Sequence, residues 1–201
     1  MGITQTEIAN RALIKLGDLT IIDVNADDEK AILVRNAWNS LRDDELRSHA
    51  WSFAIKRELL PALARPPAWE YAYAYQLPAD CLRVISAGDE VGAPVDYSVY
   101  NPAAGSKYKI EGRELLTDFA PPLRLRYVAR IENASLWDAC FIECFACRLA
   151  AELAHKLIGS GSARQLAWQE YEMARRKAYT SNAIELPPSR FPDTESVGVR
   201  L

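Results

Sequence analysis

The chain has 201 residues, of which 49% are hydrophobic and 25% are charged, and its formal net charge is −3. This length allows one large domain or two small ones with a hydrophobic core, and the composition is typical of a soluble globular protein. The slightly negative charge argues against tight, unspecific binding to nucleic-acid phosphates. The N-terminus carries no basic segment followed by an apolar run, so we expect no signal peptide, and we expect the cysteines to be reduced thiols.

Two amphipathic helices are predicted within residues 1–50. Thr4 and Glu7 have the spacing of a capping box at the start of the first helix, and Gly17 is expected to end it. The second helix is predicted from near Asp27 to about Ala50, because apolar residues recur along one face at helical spacing. These residues are Ala31, Val34, Trp38 and Leu41.

The residue pattern changes to that of β-strands in residues 51–131. Strands are predicted after Trp51, in the stretches EYAYAYQ, LRVISAG, VDYSVY, KYKIEG and ELLTD, and in the alternating stretch LRLRYVARI. A hairpin tip is predicted at Glu111-Gly112. The alternating tyrosines at 71, 73 and 75 indicate one strand face, which is either core, a partner surface or a platform for stacking a sugar or a base.

Helices return in residues 132–182. One is predicted from Ser135, where Ser135 and Asp138 resemble a capping box, to about Ile158. Another is predicted from a capping box at Ser162-Gln165 to about Tyr179, while residues 183–201 contain three prolines without periodicity and indicate an extended arm. The predicted fold class is therefore α+β, with a helical bundle built from the N- and C-terminal helix pairs, a central β-rich insertion and a C-terminal arm.

The stretch CFIECFAC places cysteines at 140, 144 and 147, which is the spacing of the cluster-binding loop of radical enzymes. The surrounding segment lacks proline and glycine and has helix signals at both ends. On a helix these cysteines share a face, but the first and last are separated by about 10 Å of rise. A single zinc ion needs its sulfur ligands at about 2.3 Å. We therefore interpret the cysteines as core residues of a helix.

Other catalytic signals are weak. There is no nucleophile elbow, P-loop or dinucleotide-binding motif. The carboxylate pairs Asp27-Asp28 and Asp43-Asp44 are interpreted as solvated helix faces, and His49 and His155 lie near helix C-termini, where a cation is favoured. We predict no catalytic residue, no cofactor, no metal ligand and no enzymatic activity.

Four segments, in order along the chain, carry a resemblance to a known family. They are a first helix ending in Leu16-Gly17, the segment Arg42–Leu46 late in the second helix, the aromatic turn Trp51-Ser52-Phe53 and the segment Leu77–Asp80. Together they resemble the head-to-tail adaptor proteins of tailed bacteriophages, the tail tubular protein A family of short-tailed phages. The resemblance covers most of residues 1–180 and is carried by packing residues rather than by a catalytic signature.

The resemblance implies a structural protein of the virion neck that assembles in the host cytoplasm. It implies a dodecameric ring between the portal protein and the tail nozzle protein, which passes the genome DNA during ejection without reading its sequence. The isolated chain is expected to be a ring component that can stay monomeric until the portal provides a template. No membrane contact and no active site are implied.

The C-terminal arm is the predicted partner-binding segment. Its apolar residues have no core of their own to enter, and its arginines can pair with acidic groups of a partner. The predicted partner-binding residues are Leu186, Arg190, Phe191, Arg200 and Leu201.

Two other functions are compatible with the sequence. One is a virion-associated enzyme, either a cell-wall hydrolase or a metal or cluster redox protein built on the three cysteines of the third helix. The other is an assembly chaperone that binds the portal and leaves the finished particle.

Overall fold

A computed structural model describes residues 2–88 and 108–185 of the chain. The fold class is α+β, as the sequence predicts. Of the described residues, a first unit contains 2–54 and 129–185, and a second unit contains 55–88 and 108–128. The strand predicted in VDYSVY lies outside the described residues.

The first unit is helical. Its helices are α1 (Gln5–Lys15), α2 (Glu29–Ser48), α3 (Ala139–Ile158) and α4 (Gly161–Glu185). Helix α3 packs against the other three, because its sequence is apolar on most of its circumference. Within the described ranges, no helix is both long enough and apolar enough to cross a membrane.

The N-terminal helices form as predicted. The hydroxyl oxygen of Thr4 accepts a hydrogen bond from the Glu7 backbone N–H, and the Glu7 carboxylate accepts one from the Thr4 backbone N–H, so the capping box is confirmed. Helix α2 is shorter than predicted by about two residues at each end, but its predicted apolar face is buried.

The predicted start of α3 at Ser135 is wrong. A short 3-10 turn, Ala134–Leu136, occupies that position, and the side chain of Asn133 caps it. Helix α3 begins only after it, where the Asp138 carboxylate accepts hydrogen bonds from the backbone N–H groups of Cys140 and Phe141. The predicted end is confirmed, since Gly159 adopts the left-handed conformation of a helix C-cap.

Both predicted ends of α4 are also wrong. The helix starts at Gly161 rather than at a Ser162-Gln165 capping box, and Ser160 Oγ accepts from the Ala163 backbone N–H at 3.5 Å. It continues beyond Tyr179 because the buried side chain of Asn182 accepts a hydrogen bond from the Ser52 backbone N–H at 2.7 Å and donates one to the Ala50 carbonyl at 2.9 Å. These tertiary bonds hold the last turns of the helix in place.

Aromatic rings fill the core of the first unit. The indole of Trp51 meets the ring of Phe141 edge-on with centroids 4.9 Å apart, and Trp38 meets Phe145 in the same way at 4.9 Å. Trp137 lies between them, 5.1 Å from Phe141 and 5.2 Å from Phe145. Such edge-to-face contacts add to the free energy of burying the rings.

The second unit consists of two three-stranded antiparallel sheets. The strands are β1 (Ile55–Leu60), β2 (Tyr73–Gln76), β3 (Cys81–Ala87), β4 (Tyr108–Glu111), β5 (Glu114–Thr117) and β6 (Leu123–Ala129). Their order is β1-β6-β3 in one sheet and β2-β5-β4 in the other. The predicted hairpin tip is confirmed, because Gly112 has a φ of 61° in the turn between β4 and β5.

Only one of the three alternating tyrosines is core. Tyr75 is fully buried, and its hydroxyl donates to the Phe119 carbonyl at 2.6 Å, whereas Tyr71 and Tyr73 are partly exposed. The strand predicted directly after Trp51 begins instead at Ile55, because residues Ser52–Ala54 form a 3-10 turn.

Candidate functional site

The segment Arg42–Leu46, which carries part of the family resemblance, lies on α2 and is mostly buried. The Arg42 guanidinium binds the Asp43 carboxylate at 2.9 Å, and Arg130 Nε binds the other oxygen of Asp43 at 2.8 Å. The prediction that Asp43 and Asp44 form a solvated helix face is therefore wrong for Asp43, whose carboxylate binds two arginines. Asp43 joins α2 to the chain after β6 by charge-assisted hydrogen bonds.

Glu45 points into the protein interior and is only 1% exposed. Its two carboxylate oxygens accept a hydrogen bond from the Tyr171 hydroxyl at 2.7 Å and one from the Cys144 thiol at 3.6 Å. Burial raises the pKa of Glu45, although these two bonds act in the opposite direction. The group joins α2, α3 and α4 and is closed to solvent, so we assign it a structural role rather than a role in catalysis.

Two arginines lie beside this buried group. The Arg148 guanidinium stacks over the Trp168 ring at 4.7 Å, and it lies 5.4 Å from the Tyr171 ring, while the Arg175 guanidinium lies 5.5 Å from the same ring. Their positive charges favour the ionised form of Glu45, but burial outweighs them. Sequence reasoning missed this cluster because its members are far apart along the chain.

The three clustered cysteines lie on helix α3 as predicted, but the prediction that all three are core residues is wrong for Cys140, which is partly exposed. All four cysteines of the chain are free, and both Cys144 and Cys147 are buried on α3. Burial raises the pKa of both thiols. Within residues 2–88 and 108–185, no group of three or more His, Cys, Asp or Glu side chains is placed to hold a metal ion.

The loop between α1 and α2 is held rigidly by side chains of both helices. Asn10 donates to the Ile21 carbonyl at 2.9 Å and accepts from the Ile21 backbone N–H at 2.8 Å. Arg35 donates to two carbonyls farther along the loop, those of Val24 at 2.8 Å and Ala26 at 2.9 Å. Lys30 pairs with Asp18 at 2.6 Å. These bonds join the loop to both neighbouring helices and restrict its backbone.

The same loop presents large apolar side chains to water. Ile22 is 99% exposed and Leu19 is 79% exposed, and both line a shallow pocket of about 320 Å³. The neighbouring Ile21 is only 7% exposed, so Ile21 is buried while Ile22 faces water. Exposed apolar groups on a rigid segment are typical of a protein–protein interface. We define Leu19 and Ile22 as the loop surface.

Helix α4 exposes three large apolar side chains along one line, with the charged Lys177 between the second and the third. Leu166, Met173 and Ile184 are 57%, 62% and 79% exposed, respectively. The first and last are eighteen residues apart, which is five full helical turns, and Met173 lies near the same line. We define these three residues as the helix stripe. The sequence contained a signal for the loop surface, because an apolar run such as TIIDV is unusual in a loop between two helices. It did not show which apolar side chains of the loop or of α4 face water.

The five partner-binding residues predicted in the arm, Leu186, Arg190, Phe191, Arg200 and Leu201, lie outside the described residues. Comparison with protein-family models finds no matching model, and comparison with curated proteins finds no similar sequence. A functional proposal for this chain therefore depends on its own geometry and on the resemblance of its packing segments.

Proposed function

We propose that the chain is a structural head-to-tail adaptor of a tailed bacteriophage. In this proposal it forms a ring between the portal protein and the tail, receives the tail nozzle protein and lets the genome pass through. It acts by binding its partners and has no catalytic role. It is located in the virion neck after assembly in the host cytoplasm.

The observation that carries the proposal is the loop surface. Ile22 and Leu19 are exposed on a loop that both neighbouring helices hold in place, so little conformational entropy is lost when a partner covers them. A rigid apolar surface of this kind favours an assembly protein over a protein that acts alone in water.

The presence of exposed apolar side chains on two different elements of the first unit also supports a ring. In a closed ring of identical subunits with head-to-tail contacts, each subunit uses two different surfaces, one for each neighbour. The loop surface and the helix stripe provide two such surfaces on different elements.

The resemblance segments have packing roles, which agrees with a family defined by its architecture. Leu46 and Trp51 are buried in the first unit, and Leu77 is buried in the second. Asp80 accepts hydrogen bonds from Lys56 at 2.6 Å and from Tyr127 at 3.1 Å. These residues maintain the fold on which partner surfaces can vary.

The test is native mass spectrometry of the purified chain, alone and mixed with the cognate portal ring. We expect the chain to add to the portal with cyclic stoichiometry. Ile22→Asp should remain folded by circular dichroism and lose this addition, because a carboxylate cannot be buried in an apolar contact. Asn25→Asp is the matched control, since it adds the same charge to an exposed residue of the same loop that does not line the shallow pocket beside Ile22.

A deletion of residues 186–201 tests the predicted arm in the same assay, and loss of portal addition would support it. A chain that carries iron or zinc, or that cleaves peptidoglycan, and ignores the portal would overturn the adaptor proposal in favour of an enzyme. A chain that binds the portal but is missing from mature virions would overturn it in favour of an assembly chaperone.

A further inference from the structure

The second unit contains a pocket lined by three arginines. It has a volume of about 340 Å³, and Arg57, Arg124 and Arg126 line it together with Ser86 and Gly88. The arginines come from neighbouring strands, β1 and β6, of the same sheet. The guanidinium groups of Arg57 and Arg126 beside one pocket create a positive potential that favours an anion there.

The strand register places like charges directly opposite each other. Arg57 lies directly opposite Arg126 in the ladder between β1 and β6. Two residues farther along, on the same face of the sheet, Leu59 lies opposite Arg124. Like charges directly opposite each other destabilise a sheet, so the arrangement is unfavourable without a ligand. Such a pair favours an anionic group between the two guanidinium groups.

Neither member of this pair is neutralised within the part of the chain that the structure describes. No ion pair of Arg57 or Arg126 occurs there, and the Arg126 Nε atom is buried without a hydrogen-bond partner. Glu58 also borders the pocket, but its side chain lies on the opposite face of the sheet, where its carboxylate accepts a hydrogen bond from the Tyr127 hydroxyl at 3.3 Å. A buried donor without a partner indicates a missing acceptor.

The surroundings favour a protein ligand over a nucleic acid. Leu59 is 62% exposed and lines the pocket, so an apolar side chain can be covered next to the anion. Among the strands that the structure describes, β1 is the outer strand in the order β1-β6-β3, which lets an extended segment lie along it. The chain as a whole has a net charge of −3, which disfavours a long polyanion.

We propose that this arginine pocket binds an acidic side chain of a partner protein. The carboxylate lies between Arg57 and Arg126, and a neighbouring apolar side chain of the same extended segment covers Leu59. The planar guanidinium groups match a carboxylate with two parallel hydrogen bonds. This inference does not depend on the adaptor proposal, because it concerns the other unit and can be tested with a synthetic peptide.

The experiment is an NMR titration of the full-length chain that follows the arginine Nε–Hε signals. The probe is a hexapeptide of alternating glutamate and leucine, and the reference probe has glutamine in place of glutamate. We expect the acidic peptide to shift the Arg126 signal saturably and the glutamine peptide to leave it unchanged. Arg57→Gln should weaken binding by roughly tenfold or more, since one charge-assisted hydrogen bond is lost.

Arg65→Gln is the matched control. Arg65 is an exposed arginine of the same unit outside this pocket, so its loss changes net charge equally and should leave the affinity unchanged. Equal binding of both peptides, or no shift of Arg126 at millimolar acidic peptide, would overturn the proposal. A short DNA duplex that shifts the same arginine at lower concentration than the peptide would also overturn it and would assign the pocket to phosphate.

Discussion

The Tyr171 hydroxyl donates a 2.7 Å hydrogen bond to Glu45, and this bond joins α4 to α2 in the interior of the first unit. Both side chains are at least 95% buried, with exposures of 5% and 1%. The bond gives the buried Tyr171 hydroxyl an acceptor and the buried Glu45 Oε2 atom a donor. The bond makes the helix arrangement depend on a carboxyl group that the surface-like sequence RDDEL does not single out.

The first prediction concerns the coupling between these two residues. Glu45→Ala should destabilise the chain by about 1–3 kcal/mol or more, because the Tyr171 hydroxyl is left without an acceptor. A double-mutant cycle of Glu45→Ala with Tyr171→Phe should give a coupling energy of roughly 0.5–3 kcal/mol from urea denaturation. Glu152→Gln is the control, since Glu152 is an exposed carboxylate of α3. Additive single effects would contradict the prediction.

The second prediction concerns pH. Because burial raises the pKa of Glu45 in the folded state, the unfolded chain releases this proton at lower pH than the folded chain does. The contribution of Glu45 to stability is therefore complete at low pH and is lost as pH rises from its ordinary pKa through the raised one. Glu45→Gln should remove this dependence, so the difference in unfolding free energy between variant and wild type should change with pH in that window. A constant difference would show that the pKa of Glu45 is not raised.

The third prediction separates the two adjacent isoleucines of the α1–α2 loop. Ile21→Ala should cost about 2–4 kcal/mol of unfolding free energy, because Ile21 is 7% exposed and packs in the core. Ile22→Ala should change stability by less than about 0.5 kcal/mol, since Ile22 is 99% exposed. Thermal and urea unfolding of both variants measure the difference. Equal losses would mean that Ile22 is not available to a partner.

The fourth prediction concerns the cysteines of α3. Cys140 is partly exposed, whereas Cys144 is buried. Burial raises the pKa of the Cys144 thiol, and this thiol donates a hydrogen bond to Glu45. Alkylation of the native chain with iodoacetamide should therefore modify Cys140 first and Cys144 only on unfolding, because the thiolate is the reactive form. Peptide mass spectrometry at successive times gives the order, and the denatured chain is the control. Early modification of Cys144 would contradict the buried network.

The fifth prediction concerns Asp80 in the second unit. Burial raises its pKa, but hydrogen bonds from Lys56 and Tyr127 outweigh burial and hold the pKa below its ordinary value. The stability that Asp80 provides is thus present above its ordinary pKa and is lost as pH falls through the lowered one. Tyr127→Phe should raise the pKa of Asp80 towards the ordinary value, as measured by carboxyl-carbon NMR. Tyr73→Phe, which removes a hydroxyl elsewhere in the same unit, should leave it unchanged.

The local signals of the sequence were reliable where a few neighbouring residues decide the structure. The Thr4–Glu7 capping box, the apolar face of α2, the Gly159 helix end and the hairpin at Gly112 were all predictable for this reason. The ends of α4 were not, because Asn182 is held by backbone groups about 130 residues away along the chain. The start of α3 was missed because Asp138, which was interpreted as the last residue of a capping box, is itself the N-cap of the helix, and Asn133 caps a separate 3-10 turn before it.

The sequence by itself determined the fold class, the helix that holds the three clustered cysteines and the alternating first part of β6, since these follow from periodicity over a few turns or residues. The tertiary structure alone decided which charged residues are buried and which apolar residues are exposed. Asp44 and Glu45 are adjacent acidic residues, but Asp44 is exposed and Glu45 is buried. The adjacent isoleucines differ in the same way, since Ile21 is buried and Ile22 is exposed. The physical reason is that burial depends on packing between elements that are distant along the chain, and no local period contains that information.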